Sequence, residues 1–165
     1  MAAERKIPYV LFDSNIPESN PLSFIGQDLL ASGRLAAELI KKTTSRKGEI
    51  AILHVDEDLG KAAYLQKKEC GFMELLVDSS QRLSVYSVKP NESDTREKIR
   101  TIIAQPDLAA LFVTTSRATS IVAEVLEATQ RTDLIFVGYD LLKENVRHLK
   151  TGVITFLINQ NPRLM

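Results

Sequence analysis

Short apolar runs, each followed by polar residues and then by a helical pattern, recur along this chain, and that alternation limits the available folds more than any other feature. The run Asp133-Leu-Ile-Phe-Val-Gly-Tyr-Asp140 shows it most clearly. Its apolar core is too short for a free-standing helix and is rich in β-branched and aromatic types, as suits a strand buried on both faces. Gly138 is expected to turn the backbone sharply and to present Asp140 just past the strand. Open α/β sheets bind ligands in the crevice outside the carboxyl ends of their strands. An acidic side chain there accepts hydrogen bonds from a polyhydroxylated ligand. The plainer alternative is that Asp140 caps a helix beginning near Leu141.

The same cycle can be followed along the chain. Strands are expected at 7–12 and 22–26, then a helix from Gln27 with an apolar stripe of Leu29, Leu35, Ala36, Leu39 and Ile40. Lys41 and Lys42 sit at its far end, where the helix dipole favours cations. A strand at 50–55 leads into the acidic run Asp56-Glu57-Asp58 and a helix over about 60–76, with Tyr64, Lys68, Phe72 and Leu75 at helical spacing. A strand at 83–88, a helix at 94–104 started by Ser93, a strand at 108–113 and a helix at 118–129 follow. The run around 134–139, a short helix at 142–150 and a strand at 153–158 complete the series. Strands separated by helices of this length require right-handed βαβ crossovers, and so a mostly parallel sheet with helices on both faces.

Composition narrows the function. The chain has 165 residues, of which 44% are hydrophobic and 25% charged, an ordinary balance for one globular domain. Lys+Arg and Asp+Glu each total 21, so there is no basic field to hold a phosphate backbone. Cys70 is the single cysteine and excludes an intrachain disulfide. His54 and His148 form no recognisable metal-ligand spacing. No signal peptide and no membrane-length apolar run is evident.

The candidates for catalysis each have a simpler role. Asp56 to Asp58 read as a solvated loop before they read as paired acid and base. Thr114, Thr115 and Ser116 lack the G-x-S-x-G context and a histidine partner, and Ser116 is expected to cap the following helix. Gly-rich phosphate loops are absent. Cys70 is expected to be a small buried residue. No cofactor is implied. What remains is a row of polar residues after successive strands: Asp13 and Ser14, Asp56 to Asp58, Thr115 and Ser116, Asp140 and Gln160. On a parallel sheet these share one edge, where carboxylates, hydroxyls and amides suit a neutral, hydroxyl-rich ligand. Polar loops alone give the same row.

Phe12-Asp13-Ser14, Ile25-Gly-Gln-Asp28, Ser32-Gly33-Arg34-Leu-Ala-Ala37, Phe136-Val-Gly-Tyr-Asp140 and Ile158-Asn-Gln-Asn-Pro162 stand in the order seen in one known family. The chain resembles the effector-binding domain of LacI-type transcriptional regulators, a fold shared with periplasmic sugar receptors. The resemblance implies a three-layer α/β/α, Rossmann-like, type I periplasmic-binding-protein subdomain with a mostly parallel sheet. It places residues 1–26 in the N-terminal subdomain of the effector domain and 27–158 in its C-terminal subdomain. Residues 159–165 then begin the crossover back, so the chain reads as a fragment. The resemblance further implies a non-enzymatic, cytoplasmic sensor of a sugar or polyol and a homodimer. Operator DNA would be bound through a separate N-terminal domain. It makes Asp13, Ser14, Asp140 and Gln160 ligand contacts, with Lys68 and Thr115 at two further ligand positions. Two departures stand out. Lys68 occupies a position where the family commonly has arginine, so a planar bidentate fork is lost. Thr115-Ser116 replaces the family's Asn-Asp pair. A periplasmic transport receptor is the alternative within the fold, and an α/β hydrolase working through Asp13, Asp56 or Asp58 is the alternative outside it.

Overall fold

The computed structural model of the chain describes residues 7–13, 16, 19–55, 63–77, 79–90 and 93–160. Leu29–Asn159 forms one compact unit, and the described residues before Leu29 belong with Gln160 to another. In the smaller unit, β1 (Val10–Phe12) pairs in parallel with β2 (Ser23–Ile25), setting Val10 opposite Ser23 and Phe12 opposite Ile25. The first expected strand is thus shorter than the apolar run 7–12. Pro8, without an N–H, precedes the paired residues and cannot donate to a ladder.

The larger unit alternates helix and strand throughout. Its elements are α1 (Leu29–Thr43), β3 (Glu49–Val55), α2 (Ala63–Leu76), β4 (Arg82–Val88), α3 (Thr95–Ile103) and β5 (Leu108–Val113). These are followed by α4 (Ser116–Thr129), β6 (Ile135–Tyr139), α5 (Lys143–Lys150) and β7 (Phe156–Ile158). The strands form one five-stranded sheet in the order β4-β3-β5-β6-β7, and every pairing in it is parallel. β3 and β5 lie inside the sheet and are buried along their whole length. That is why their sequences run continuously apolar where β4, at the edge, alternates.

Strand parity divides the core in two. Ala51, Leu53, Val55, Leu111, Val113 and Phe136 pack with α3 and α4, whereas Ile50, Ile52, Phe112, Val137 and Tyr139 pack with α1 and α2. Fully burying each Val, Leu, Ile or Phe side chain among them contributes about 1.5–3 kcal/mol, so two continuous cores on opposite faces account for the three layers. No helix among the described residues is long and apolar enough to cross a membrane.

Helices α1 and α2 approach closely through glycine. A Cβ built on Gly33 would stand 2.0 Å from the carbonyl oxygen of Lys68, and one on Gly71 2.1 Å from that of Leu30. The expected stripes hold in part: Ala36, Ile40, Lys68 and Phe72 are buried. Leu35, Tyr64 and Leu75 are 45%, 43% and 37% exposed, while Ser32, Gly33, Ala37, Leu65, Gly71 and Leu76 are buried. The last strand is also shorter than the run 153–158. The N–H groups of Val153 and Ile154 both bond the carbonyl of His148, so the chain is still wrapping the end of α5 there.

The amino ends of the strands are stapled by Arg131. Its guanidinium donates to the carbonyls of Ile103 (2.5 Å), Gln105 (3.2 Å) and Leu108 (3.3 Å) and to Asp133. The carbonyl of Ile103 belongs to the last residue of α3, where no helical donor remains, and that of Gln105 also accepts from the N–H of Leu108 at 3.2 Å. Replacing Arg131 by Met should lower stability by about 1–2 kcal/mol, read as a lower urea midpoint at unchanged slope.

Candidate ligand-binding site

Asp140 follows β6 in a left-handed backbone conformation (φ 60°) and gives its N–H to the carbonyl of Ile158 at 2.9 Å. Aspartate tolerates this conformation better than most residues, at a cost on the order of 1 kcal/mol. The sharp turn is therefore at Asp140 and not, as expected, at Gly138. Gly138 lies within β6, where a Cβ would meet Thr119 Cγ2 at 2.3 Å, so its role is close packing of α4 on the strand. Nor does Asp140 cap the next helix: the N-cap of α5 is Leu142, with no side-chain cap bond. Buried Asn145 ties the turn down, donating to the carbonyls of Tyr139 (2.9 Å), Ser116 (3.2 Å) and Asp140 (3.3 Å) and accepting from Ser120 at 2.7 Å.

Lys68 reaches the same place from α2. It is only 3% exposed; its Nζ donates to the carbonyl of Thr114 at 2.9 Å and lies 3.6 Å from the centre of the Tyr139 ring. Burial lowers the ammonium's pKa from 10.5 to about 8, opposed by attraction to Asp140. The Tyr139 phenol shares a short hydrogen bond with Ser32 Oγ, and burial raises its pKa well above the usual tyrosine value. Phe112 continues this layer, with its ring centre 5.8 Å from that of Tyr139 and 4.9 Å from that of Phe72. Behind Lys68, His54 presents Nδ1 to the hydroxyl of Thr114 (3.0 Å) and Nε2 to Glu69 (2.9 Å).

The expected site residues fall as follows. Lys68, Thr115 and Asp140 belong to the larger unit and lie at or beside the carboxyl ends of β5 and β6. The charge of Asp140 favours the charged form of Lys68. Thr115 is the N-cap of α4, but through its backbone alone. Its carbonyl accepts from the N–H of Thr119 (3.0 Å) and from its hydroxyl (2.8 Å). Ser116 begins α4 and does not cap it, contrary to expectation.

Asp13 and Gln160 belong to the smaller unit. Asp13 is exposed and repeats the backbone device of Asp140, with φ 65° and its N–H on the carbonyl of Ile25 at 2.8 Å. Ile25 ends β2 as Ile158 ends β7, so each aspartate takes the last carbonyl of the neighbouring strand. Gln160 follows β7 and is half-buried. Ser14 and Asp56 to Asp58 lie outside the described residues. Cys70 is exposed, not buried, because it sits on the outer side of α2 with Sγ 3.7 Å from Glu74 Oε1.

Tyr139 and Asn145 were not picked out by sequence, and Thr114 and His54 were weighed only as a nucleophile turn and a metal ligand. The parity of β3, β5 and β6 held the signal: His54, Thr114 and Tyr139 continue the face that carries Ile52, Phe112 and Val137.

The model of the family described as "periplasmic binding protein domain" matches residues 1–165. The chain belongs to that family. Among curated relatives, the ribose import binding protein of Salmonella typhimurium is 23% identical over 167 residues, covering 98% of this chain and 54% of that protein. Two solved structures bracket the possibilities. One is a putative LacI transcriptional regulator from Bacteroides fragilis, with a TM-score of 0.84 at 28% identity over 99% of this chain and 57% of that one. The other is GanP, a glucose-galactose binding protein from Geobacillus stearothermophilus, with a TM-score of 0.77 at 27% identity over 92% of this chain and 55% of that one. This periplasmic-binding-protein chain spans about half the length of the curated relatives it matches. Binding proteins and a regulator make up this set, and none of the three is named for a catalysed reaction.

Proposed function

We propose that this chain forms part of the effector-binding domain of a LacI-type regulator, taking a neutral sugar or polyol against Asp140. One observation carries the reading: a half-buried carboxylate fixed by a left-handed backbone at a strand's carboxyl end, with a buried ammonium beside it. Such a carboxylate accepts hydrogen bonds from hydroxyls, and the ammonium offsets its charge without a second anion in the ligand. Thr115 would lie beside it, while Lys68, bonded inward to Thr114, acts mainly by holding the floor. In this proposal residues 1–26 belong to the N-terminal subdomain of the effector domain, and Asp13, Ser14 and Gln160 are further ligand contacts by the family resemblance. Sugar would then bias the closure of the two subdomains, and with it operator binding by a separate helix-turn-helix domain of a cytoplasmic homodimer. It does so only through unequal affinity for the two states.

The likeness to the Bacteroides fragilis regulator supports this choice. The relationship to ribose import binding proteins favours a second reading, a periplasmic transport receptor. The coding sequence upstream discriminates them: a helix-turn-helix segment supports the regulator, and an apolar export segment overturns it.

For the site itself, thermal unfolding of the complete protein against a panel of pentoses, hexoses and polyols is decisive. One sugar should raise the midpoint by mass action. Asp140→Ala should weaken it by about 10- to 100-fold, the loss of one charge-assisted hydrogen bond. Asp140→Gly, which suits a φ of 60°, separates the lost carboxylate from backbone strain and should weaken binding equally. A panel with no active sugar, or a shift surviving both variants, removes Asp140 from the site.

A further inference from the structure

The buried polar cluster behind Lys68 has no place in the ligand contacts just described. His54 is 2% exposed and lies near the end of β3, and both of its ring nitrogens are engaged. Glu69 on α2 is partly exposed and, as a carboxylate, can only accept, so Nε2 carries the proton. In the tautomer with that single proton, Nδ1 is an acceptor and the hydroxyl of Thr114 donates to it. Thr114 is itself fully buried, and its carbonyl accepts from Lys68 Nζ at 2.9 Å. Three hydrogen bonds thus run in a single sense from the ammonium beside Tyr139, through Thr114 and His54, to Glu69.

We propose that His54 is a positioning residue for the ligand site. Backed by Glu69, it fixes the rotamer and carbonyl of Thr114, and that carbonyl holds Lys68 in place beside Tyr139 and Asp140. The idea rests on the ligand reading above only for its effect on affinity; the hold on Lys68 is independent of any ligand. The imidazole is bonded to Glu69 from α2 and to Thr114 after β5, so the device spans strands β3 and β5 and helix α2. A relay of this kind is worth more than a single bond, because each member is ordered by the next.

The test uses the titration of the Lys68 side chain, followed by NMR of its Cε in the complete protein. His54→Leu removes the acceptor for Thr114, and Thr114→Val removes the hydroxyl while keeping the carbonyl. Both should move the Lys68 titration at least half a unit lower, because a loosened carbonyl favours the charged form less. His54→Asn, whose amide oxygen can stand near the Nδ1 position, should restore most of the wild-type value. Sugar affinity should fall about three- to tenfold in the first two variants and recover in the third. Variants that unfold at the wild-type midpoint yet leave the Lys68 titration unmoved overturn the proposal. A moved titration without any sugar binding upholds the relay and counts against the ligand reading instead.

Discussion

Gly33→Ala should destabilise the chain by about 2–3 kcal/mol, although alanine is the better helix former by about 1 kcal/mol. The gain in helix propensity is outweighed because the new methyl carbon would stand 2.0 Å from the carbonyl oxygen of Lys68 and 2.9 Å from the amide nitrogen of Phe72. Both neighbours are backbone, so no flexible side chain can swing aside and α1 must move away from α2. Gly71→Ala should act alike, since its methyl would stand 2.1 Å from the carbonyl oxygen of Leu30. The two substitutions open the same gap, so together they should cost less than the sum. Leu35→Ala, on the exposed side of α1, is the control and should change stability by less than about 0.5 kcal/mol. Urea unfolding of the four variants checks the set. A Gly33→Ala protein as stable as wild type would mean the two helices do not touch there. Because α2 carries Lys68, the displaced helix should also draw Nζ away from Thr114, and the glycine variants should weaken ligand more than their stability loss explains.

The layered fold was legible in the sequence because burial on both faces leaves an unmistakable record. Leu108–Val113 has no polar residue to interrupt it, and a five-stranded parallel sheet is the arrangement that buries such a strand fully. Helix faces were less legible. Leu35, Tyr64 and Leu75 looked like core by hydrophobicity, yet the glycines that let α1 meet α2 determine which side faces inward. Small residues are silent in a hydrophobic pattern, so the tightest contact in the larger unit left the weakest trace. At the site, Asp140 was legible as a polar residue after a strand. Its real constraint was not: the left-handed turn depends on a hydrogen bond to Ile158, eighteen residues away along the chain. Lys68 was legible as a charge on the helix stripe and, through the family resemblance, as a ligand position, but not its hold on the Thr114 carbonyl and the Tyr139 ring.

Raising the pH from 7 to 9.5 should stabilise this protein by about 2 kcal/mol through Lys68, against the usual expectation that alkali weakens a fold. The buried ammonium of the folded chain releases its proton at about 8, whereas the unfolded lysine keeps it until 10.5. Between those values the unfolded state binds more protons, so each rise in pH shifts the equilibrium toward the folded state. The burial penalty is therefore complete below about pH 8 and gone above about 10.5. Tyr139 has the opposite sign: its phenol titrates above the ordinary value of 10.0 in the fold, so stability should turn down once pH passes about 10. Lys68→Met should remove the rise and leave only that fall. At pH 7 its net effect should be small, under about 1 kcal/mol, because the relieved desolvation is offset by an orphaned Thr114 carbonyl and a lost contact with the Tyr139 ring. Urea midpoints of wild type and Lys68→Met at pH 7, 8.5 and 9.5 give the comparison. Parallel curves for the two proteins would show that Lys68 titrates as an ordinary surface lysine, and the buried ammonium beside Asp140 would have to be abandoned.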